Sequence, residues 1–301
     1  MRLPSRRPSL LGLSVPATCF LLGFFVIPVG FIVYYSFGYK PGLLAPVATT
    51  RLSLDRYSEA LSGPFGDIFS STLRIAAIAT LVCVLVAIPF AEWLAVHVPR
   101  QHRLTVVALL IIPLCTNYLL RTIGWQVALS DNGWIVTVLT KLHLIDDGLG
   151  FLNTQGAVQL GLVYNYLVFM ILPIYVALDR VDPAIRNASR DLGAGRIRTA
   201  IEVTIPQAWQ GIASGCLLVF IPMMGDYLTA SILGGANGSM VGQLVAAQFL
   251  TAQNWALGSA TAVVLILATL VAVIATMILL RLIRWILNAQ RAIRLTEEPT
   301  S

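Results

Sequence analysis

Six stretches of this chain are apolar enough and long enough to cross a lipid bilayer, and nothing else in the sequence restricts the fold so strongly. They cover residues 10–35, 75–96, 104–125, 158–178, 211–233 and 256–280. A hydrocarbon core takes roughly 20 helical residues to span. Lipid offers no partner to backbone N–H and C=O groups, so such segments must be helices that satisfy themselves. Of the 301 residues 57% are hydrophobic and 11% charged, whereas a soluble domain carries roughly 25% charged residues. The expected fold is all-α: a polytopic transmembrane bundle of six spans over residues 10–287, with a short N-terminal segment, 1–9, and a polar tail, 288–301, expected to fray. The first apolar run follows a basic start. It exceeds the roughly 7–15 residues of a signal-peptide core, so a retained span is expected.

Most of these segments hold a proline: Pro28, Pro89, Pro113, Pro173 and Pro222. Each frees a backbone carbonyl that neighbouring helices or a wet path can satisfy but lipid cannot, which favours a bundle around a route over isolated anchors. The arginines set the orientation. With the N-terminus inside, the inner segments hold 14 arginines and the outer ones 4 basic residues, Lys40, Arg51, Arg56 and Lys141. Both termini are therefore expected to be cytoplasmic. The net charge of +6 is thus a topology signal, and no nucleic acid is expected as partner. Cys19, Cys83, Cys115 and Cys216 lie in apolar runs without CxxC spacing, and the three histidines lack metal-ligand spacing. No metal site is expected.

One long polar segment interrupts the apolar pattern, residues 179–209, on the inner side. Asp182-Pro183 is a helix start, with Asp as N-cap and Pro at the first helical position. Gly193 is a stop. The spacing predicts a helix over 183–192 and a second over 196–203, with Pro206 disfavouring helix at Ile205. Ala184, Ala188 and Leu192 fall on one face beside Ile185, and Arg186 and Arg190 on another.

"NASRDLGAGRIRTAIEVTIP" resembles the signature loop of ABC-importer permeases, which reads Glu-Ala-Ala, three residues, Gly, nine residues, Ile-x-Leu-Pro. The matching positions are Asn187, Ala188, Ser189, Gly193, Val203, Ile205 and Pro206, with Asn187 in place of the acid and Ser189 in place of the second Ala. "RTIGWQVALSDNGWIVTVLTKLHLID", "LVYNYLVFMILPIYVALDRVDP", "FIPMMGDYLTASILGG" and "VAAQFLTAQNWALGSATAV" are similar to permease subunits of bacterial polyamine (spermidine/putrescine) importers, and less specifically to the related permeases of importers for other substrates such as opines or metal ions. The resemblance implies a type I importer permease fold in a bacterial inner membrane. Its implied partners are a second, similar permease, an ATP-binding cassette ATPase dimer docked on the loop, and a periplasmic binding protein, within membrane lipid.

The residues themselves carry no catalytic signature. Neither lysine lies in a phosphate-binding Gly-x4-Gly-Lys-Ser/Thr loop, and GxSxG and HExxH are absent. No cofactor is expected in this chain, and ATP is expected on a separate subunit. Gly211 and Gly215 form a GxxxG, a close-packing signal. Candidate path residues are Tyr118, Trp125, Tyr164, Asp226 and Tyr227, with Asn117, Arg121, Asn165 and Tyr166 nearby. Glu92 is expected to partner an arginine. A self-sufficient secondary transporter would need coupling-ion sites in its spans, where Glu92 and Asp226 are the only acids.

Overall fold

The computed structural model describes residues 10–42, 45–62, 64–142, 150–235 and 237–296. Residues 1–9 with Arg2, Arg6 and Arg7, the segment 143–149 with His143, Asp146 and Asp147, and residues 297–301 lie outside the described residues.

Apolar sequence becomes helix almost throughout. α1 (Leu10–Leu21) and α2 (Ile27–Ser36) join through a π-helical turn, Leu22–Val26. α3 (Asp55–Leu61), α4 (Pro64–Val96), α5 (Arg100–Ile111), α6 (Tyr118–Leu129) and α7 (Trp134–Lys141) follow. Then come α8 (Gln155–Asp179), α9 (Pro183–Asp191), α10 (Arg196–Thr199) and α11 (Ile205–Gln207). α12 (Trp209–Met224), α13 (Val241–Leu250) and α14 (Trp255–Thr296) complete the order. The tail expected to fray instead continues α14 as far as Thr296.

Four helices are continuous and apolar enough to cross a membrane: Val15–Ser36, Phe65–Val96, Gln155–Asp179 and Trp255–Ile278. Two further pairs are bent, Arg100–Cys115 with Tyr118–Val138 by 84° and Arg196–Gln207 with Trp209–Met224 by 70°, giving up to six spans if each pair counts as one. Two spans expected to be continuous are therefore broken. In the third, Pro113 sits in a 3-10 turn, Ile112–Cys115, after which Thr116 and Asn117 are extended and the Asn117 side chain caps α6. In the fifth, α12 ends at Met224, two residues after Pro222, and helix resumes only at Leu228.

The chain forms two compact units, Met1–Gly66 with Val245–Ile266, and Asp67–Leu244 with Leu267–Ser301. In the first, Lys40 Nζ donates to the carbonyl of Ala252 (2.7 Å), the Trp255 amide donates to the carbonyl of Pro46 (3.1 Å), and the Trp255 ring meets Tyr35 and Phe249. No side chain from Val15 to Tyr35 is buried. A helix apolar on every side and unburied by its own chain belongs in lipid or against another subunit.

The second unit is organised by α8 against α12. The approach is close because Gly211 and Gly215 present bare backbone: a Cβ on Gly211 would lie 2.4 Å from Ala177 Cβ and 2.6 Å from the Pro173 carbonyl oxygen, and one on Gly215 2.9 Å from Met170 Sδ. The expected packing role of the GxxxG is what the structure shows. Gly211→Val forces the helices apart. We expect a loss of about 1–3 kcal/mol, the usual cost of overpacking, read as a lower Tm in detergent than the wild type; an unchanged Tm would show that the contact is dispensable.

Candidate functional site

The polar loop between α8 and α12 is built from local caps. Asp182 Oδ1 accepts from the Ala184 amide at 2.8 Å and so caps α9, whose first residue is Pro183. Gly193 ends it at φ +85°. The Gly193 amide donates to the carbonyl of Arg190 (2.9 Å) and the Ala194 amide to that of Ser189 (3.1 Å), the paired bonds of a Schellman terminus, whose left-handed residue is normally glycine. Ser189 Oγ lies 3.2 Å from Thr199 Oγ1, tying α9 to α10.

The second helix departs from expectation. α10 stops at Thr199, Ala200–Thr204 form a π-helical turn, and Ile205 is helical (φ −62°, ψ −44°) although Pro206 follows it. A proline ring in a helix clashes with the carbonyl four residues back. A π turn is wider than an α turn and leaves room for the ring, and the chain runs on to Gln207 before bending into α12.

The loop's apolar residues face outward. Leu192 is 89% exposed, Ile197 77% and Ile201 60%, with Ile185 beside them at 43%. A groove along Arg196, Ile197, Ile201 and Glu202 continues this surface. Asn187, Ala188 and Gly193 are exposed, while Val203, Ile205 and Pro206 are half-buried at the bend. Exposed apolar side chains on a well-capped loop form a surface that another protein can cover.

Arg186 does the opposite. Only 8% exposed, it turns back and donates through Nη2 to the carbonyls of Leu178 (2.7 Å) and Val181 (3.1 Å) at the end of α8. It reinforces the carbonyls at the helix terminus, adding to the bond that the Leu178 carbonyl accepts from the Val181 amide (3.2 Å). Burial first, then the Arg103 guanidinium, pulls its pKa below the ordinary arginine range, while Glu92 and Asp179 act in the other direction. Glu92, expected to partner an arginine, makes no ion pair with one among the described residues. Sequence reasoning placed Arg186 on a helix face with Arg190, away from Ala184, Ala188 and Leu192, and did not foresee this contact. The signal that could have found it is the short gap between α8 and α9, which folds α9 back within one side chain's reach of the α8 terminus.

Deeper in the second unit, Asp226 sits in the break after α12 and is 7% exposed. Its carboxylate accepts from the Tyr118 hydroxyl, from Tyr166 Oη (3.3 Å), from Thr229 Oγ1 (3.0 Å) and from the Thr229 amide (3.0 Å). It is therefore at once the cap of the resumed helix and a hub for α6 and α8. The Arg121 guanidinium lies 5.6 Å from the centroid of the Tyr118 ring. Asn165 Nδ2 reaches Thr122 Oγ1 at 3.4 Å. Trp125 and Tyr164 pair edge to face at 5.3 Å, and Tyr227 is 43% exposed. So Tyr118, Tyr166 and Asp226 are brought together, with Trp125 and Tyr164 as a second aromatic pair. Thr229 was not foreseen, since a threonine in an apolar run carries no signal of its own.

Comparison with known proteins fits these features. Residues 87–286 match the family described as "Binding-protein-dependent transport system inner membrane component". The chain is 37% identical over 213 residues to the spermidine/putrescine transport system permease protein PotB of Escherichia coli (strain K12), covering 71% of this chain and 77% of that protein. It is 33% identical over 243 residues to PotB of Haemophilus influenzae (strain ATCC 51907 / DSM 11121 / KW20 / Rd), covering 81% and 84%. The fold is similar, with a TM-score of 0.71 at 15% identity and 90% and 94% coverage, to a chain of a bacterial ABC transporter involved in the import of the acidic polysaccharide alginate. With two thirds of its length inside that family model and with this helical fold, the chain belongs to the binding-protein-dependent transport system inner membrane components, as a multi-pass permease subunit of an ABC importer.

Proposed function

We propose that the chain forms part of the path by which a polyamine-type cation, delivered by a periplasmic binding protein, crosses a bacterial inner membrane. The permease reading rests on the loop: a rigid, capped helix pair that presents Leu192, Ile197 and Ile201 to a partner. The ATPase dimer docks there, on the cytoplasmic side with both termini, and a second related permease completes the path. The chain itself holds no cofactor, and ATP is bound by the ATPase. The substrate reading rests on the relatives named for spermidine and putrescine.

The hub suits a cation indirectly. Four donors already occupy the Asp226 carboxylate, so it does not grip the substrate itself. A phenol that donates to a carboxylate gains electron density in its ring, and electron-rich faces attract ammonium groups. Asp226 thereby prepares Tyr118 and Tyr166, and Trp125 and Tyr164 offer further faces. Tyr118 already holds one cation, the Arg121 guanidinium.

The test is uptake by the reconstituted importer of labelled spermidine, putrescine and a neutral sugar. Polyamine uptake that depends on ATP and on the binding protein is expected; sugar uptake without polyamine uptake would overturn the substrate assignment. A separate measurement concerns the chain alone. Purified without partners it is expected neither to bind nor to hydrolyse ATP, and hydrolysis by a verified single-subunit preparation would contradict the division of labour.

A further inference from the structure

Below the α8–α9 junction the second unit contains a cleft of about 210 Å³ whose lining includes Arg100, Arg103, Arg186 and Arg190, with Asp179 and Asn187. It is assembled from the last residues of α4, the first turn of α5, the end of α8 and one face of α9. Four guanidinium groups thus face one carboxylate, and Arg103 already pairs with Asp179. Arg103 Nε is spent on the carbonyl of Val98 at 2.9 Å. Arg100 and Arg190 are exposed and make no ion pair among the described residues. Arg186 is held by its Nη2 bonds, yet its buried Nε has no partner. Its neighbours in charge are Arg103 and Arg190, which repel it, and Glu92 and Asp179, which attract it.

A positive cleft with a buried, unused donor is suited to an anion. Guanidinium groups match phosphate oxygens in paired, planar geometry. The volume equals about seven waters at roughly 30 Å³ each, room for a phosphate group with some solvent but not for a larger ring system. The cleft also adjoins the ends of membrane helices, where basic pockets meet lipid headgroups. We propose that it binds a phosphate group, supplied by the headgroup of an anionic phospholipid in the adjoining leaflet. The bound phosphate bridges α5 to α9 and offsets the mutual repulsion of the arginines, so that the ATPase-docking loop is braced against the membrane surface. This goes beyond the polyamine reading and does not depend on the substrate.

The test uses the full chain in discs of phosphatidylcholine with or without phosphatidylglycerol. Lipid retained on the protein is counted by native mass spectrometry, and inorganic phosphate is titrated in parallel into the phosphatidylcholine sample. Arg100→Gln/Arg190→Gln removes two guanidinium groups that form neither the α8 staple nor the Asp179 pair. The wild type should retain phosphatidylglycerol, the double variant should hold it about tenfold more weakly, a loss near 1.4 kcal/mol, and Arg100→Lys/Arg190→Lys should keep part of the binding. Retention of phosphatidylcholine should not change. Binding of inorganic phosphate that the double variant loses, without retention of phosphatidylglycerol, keeps the phosphate site and makes its source a soluble phosphate. Equal retention of both anions by wild type and variant overturns the proposal. So does a variant that loses only its association with the ATPase, which would assign the cleft to an acidic side chain of that subunit.

Discussion

Replacing Gly193 with Asp should abolish ATP-driven uptake while the chain still inserts and folds. Gly193 adopts φ +85°, and a Cβ there would meet nothing within 4 Å. The substitution therefore creates no clash inside the chain. Its backbone cost is that of a left-handed residue, about 1–2 kcal/mol and less for Asp and Asn than for most. The larger effect is on the surface. Gly193 lies between Leu192, 89% exposed, and Ile197, 77% exposed, so Asp puts a charge within the apolar patch that the ATPase is proposed to cover. Burying an unpaired charge at the centre of an interface is among the most damaging changes available. We expect the ATPase to bind roughly thirtyfold more weakly or worse, a hot-spot effect of about 2 kcal/mol or more. Gly193→Asn separates the causes: it has the same shape, is neutral and tolerates the same backbone. Partial uptake by Asn with none by Asp assigns the loss to charge in the interface. Equal loss by both assigns it to the surface that glycine leaves clear. Normal uptake by the Asp variant would remove Gly193 from the docking surface.

Asp226 should show a split between fold and transport. Asp226→Asn keeps one oxygen that can still accept from the Thr229 amide, preserving the cap of the resumed helix, and the hydroxyls of Tyr118 and Thr229 can rotate to accept from the new amide. What it loses is the charge. Polyamine uptake should fall about tenfold, on the scale of one cation–π contact of up to about 2 kcal/mol, with Tm and ATPase association near the wild type. Asp226→Ala removes the cap as well, worth about 0.5–2 kcal/mol, and strands buried donors at about 1–3 kcal/mol, so it should lower both Tm and uptake. If Asn leaves uptake unchanged at every polyamine concentration, Asp226 only holds the broken helix together. Tyr118→Phe adds an independent check. It keeps the ring and removes the bond to Asp226, and should weaken uptake in the same direction as Asp226→Asn.

Much of the polar loop between α8 and α12 was legible because its interactions are local. Asp182 caps a donor two residues away, the Gly193 amide serves the carbonyl three residues back, and the Ala194 amide the one five residues back. Such contacts are written into short spacing patterns. The same holds for Gly211 and Gly215, which share one helix face and mark a close approach without naming the neighbour. Pro206 misled for a related reason. Its local preference argued against helix at Ile205, but a π turn, which no residue type announces, made room for the ring.

The sequence by itself determined that this is a membrane protein of apolar helices, where its polar loop lies, and how that loop begins and turns. Apolar length and capping act over a few residues, so composition and spacing are enough to specify them. Only the tertiary structure decided that Arg186 turns inward to the end of α8, that α5 and α9 enclose a cleft of arginines, and that Asp226 gathers Tyr118 and Tyr166 from 108 and 60 residues away. A buried arginine or aspartate takes whatever donor or acceptor the packed helices bring within about 3 Å. That pairing depends on where backbones come to rest against each other, which no periodicity along the chain records.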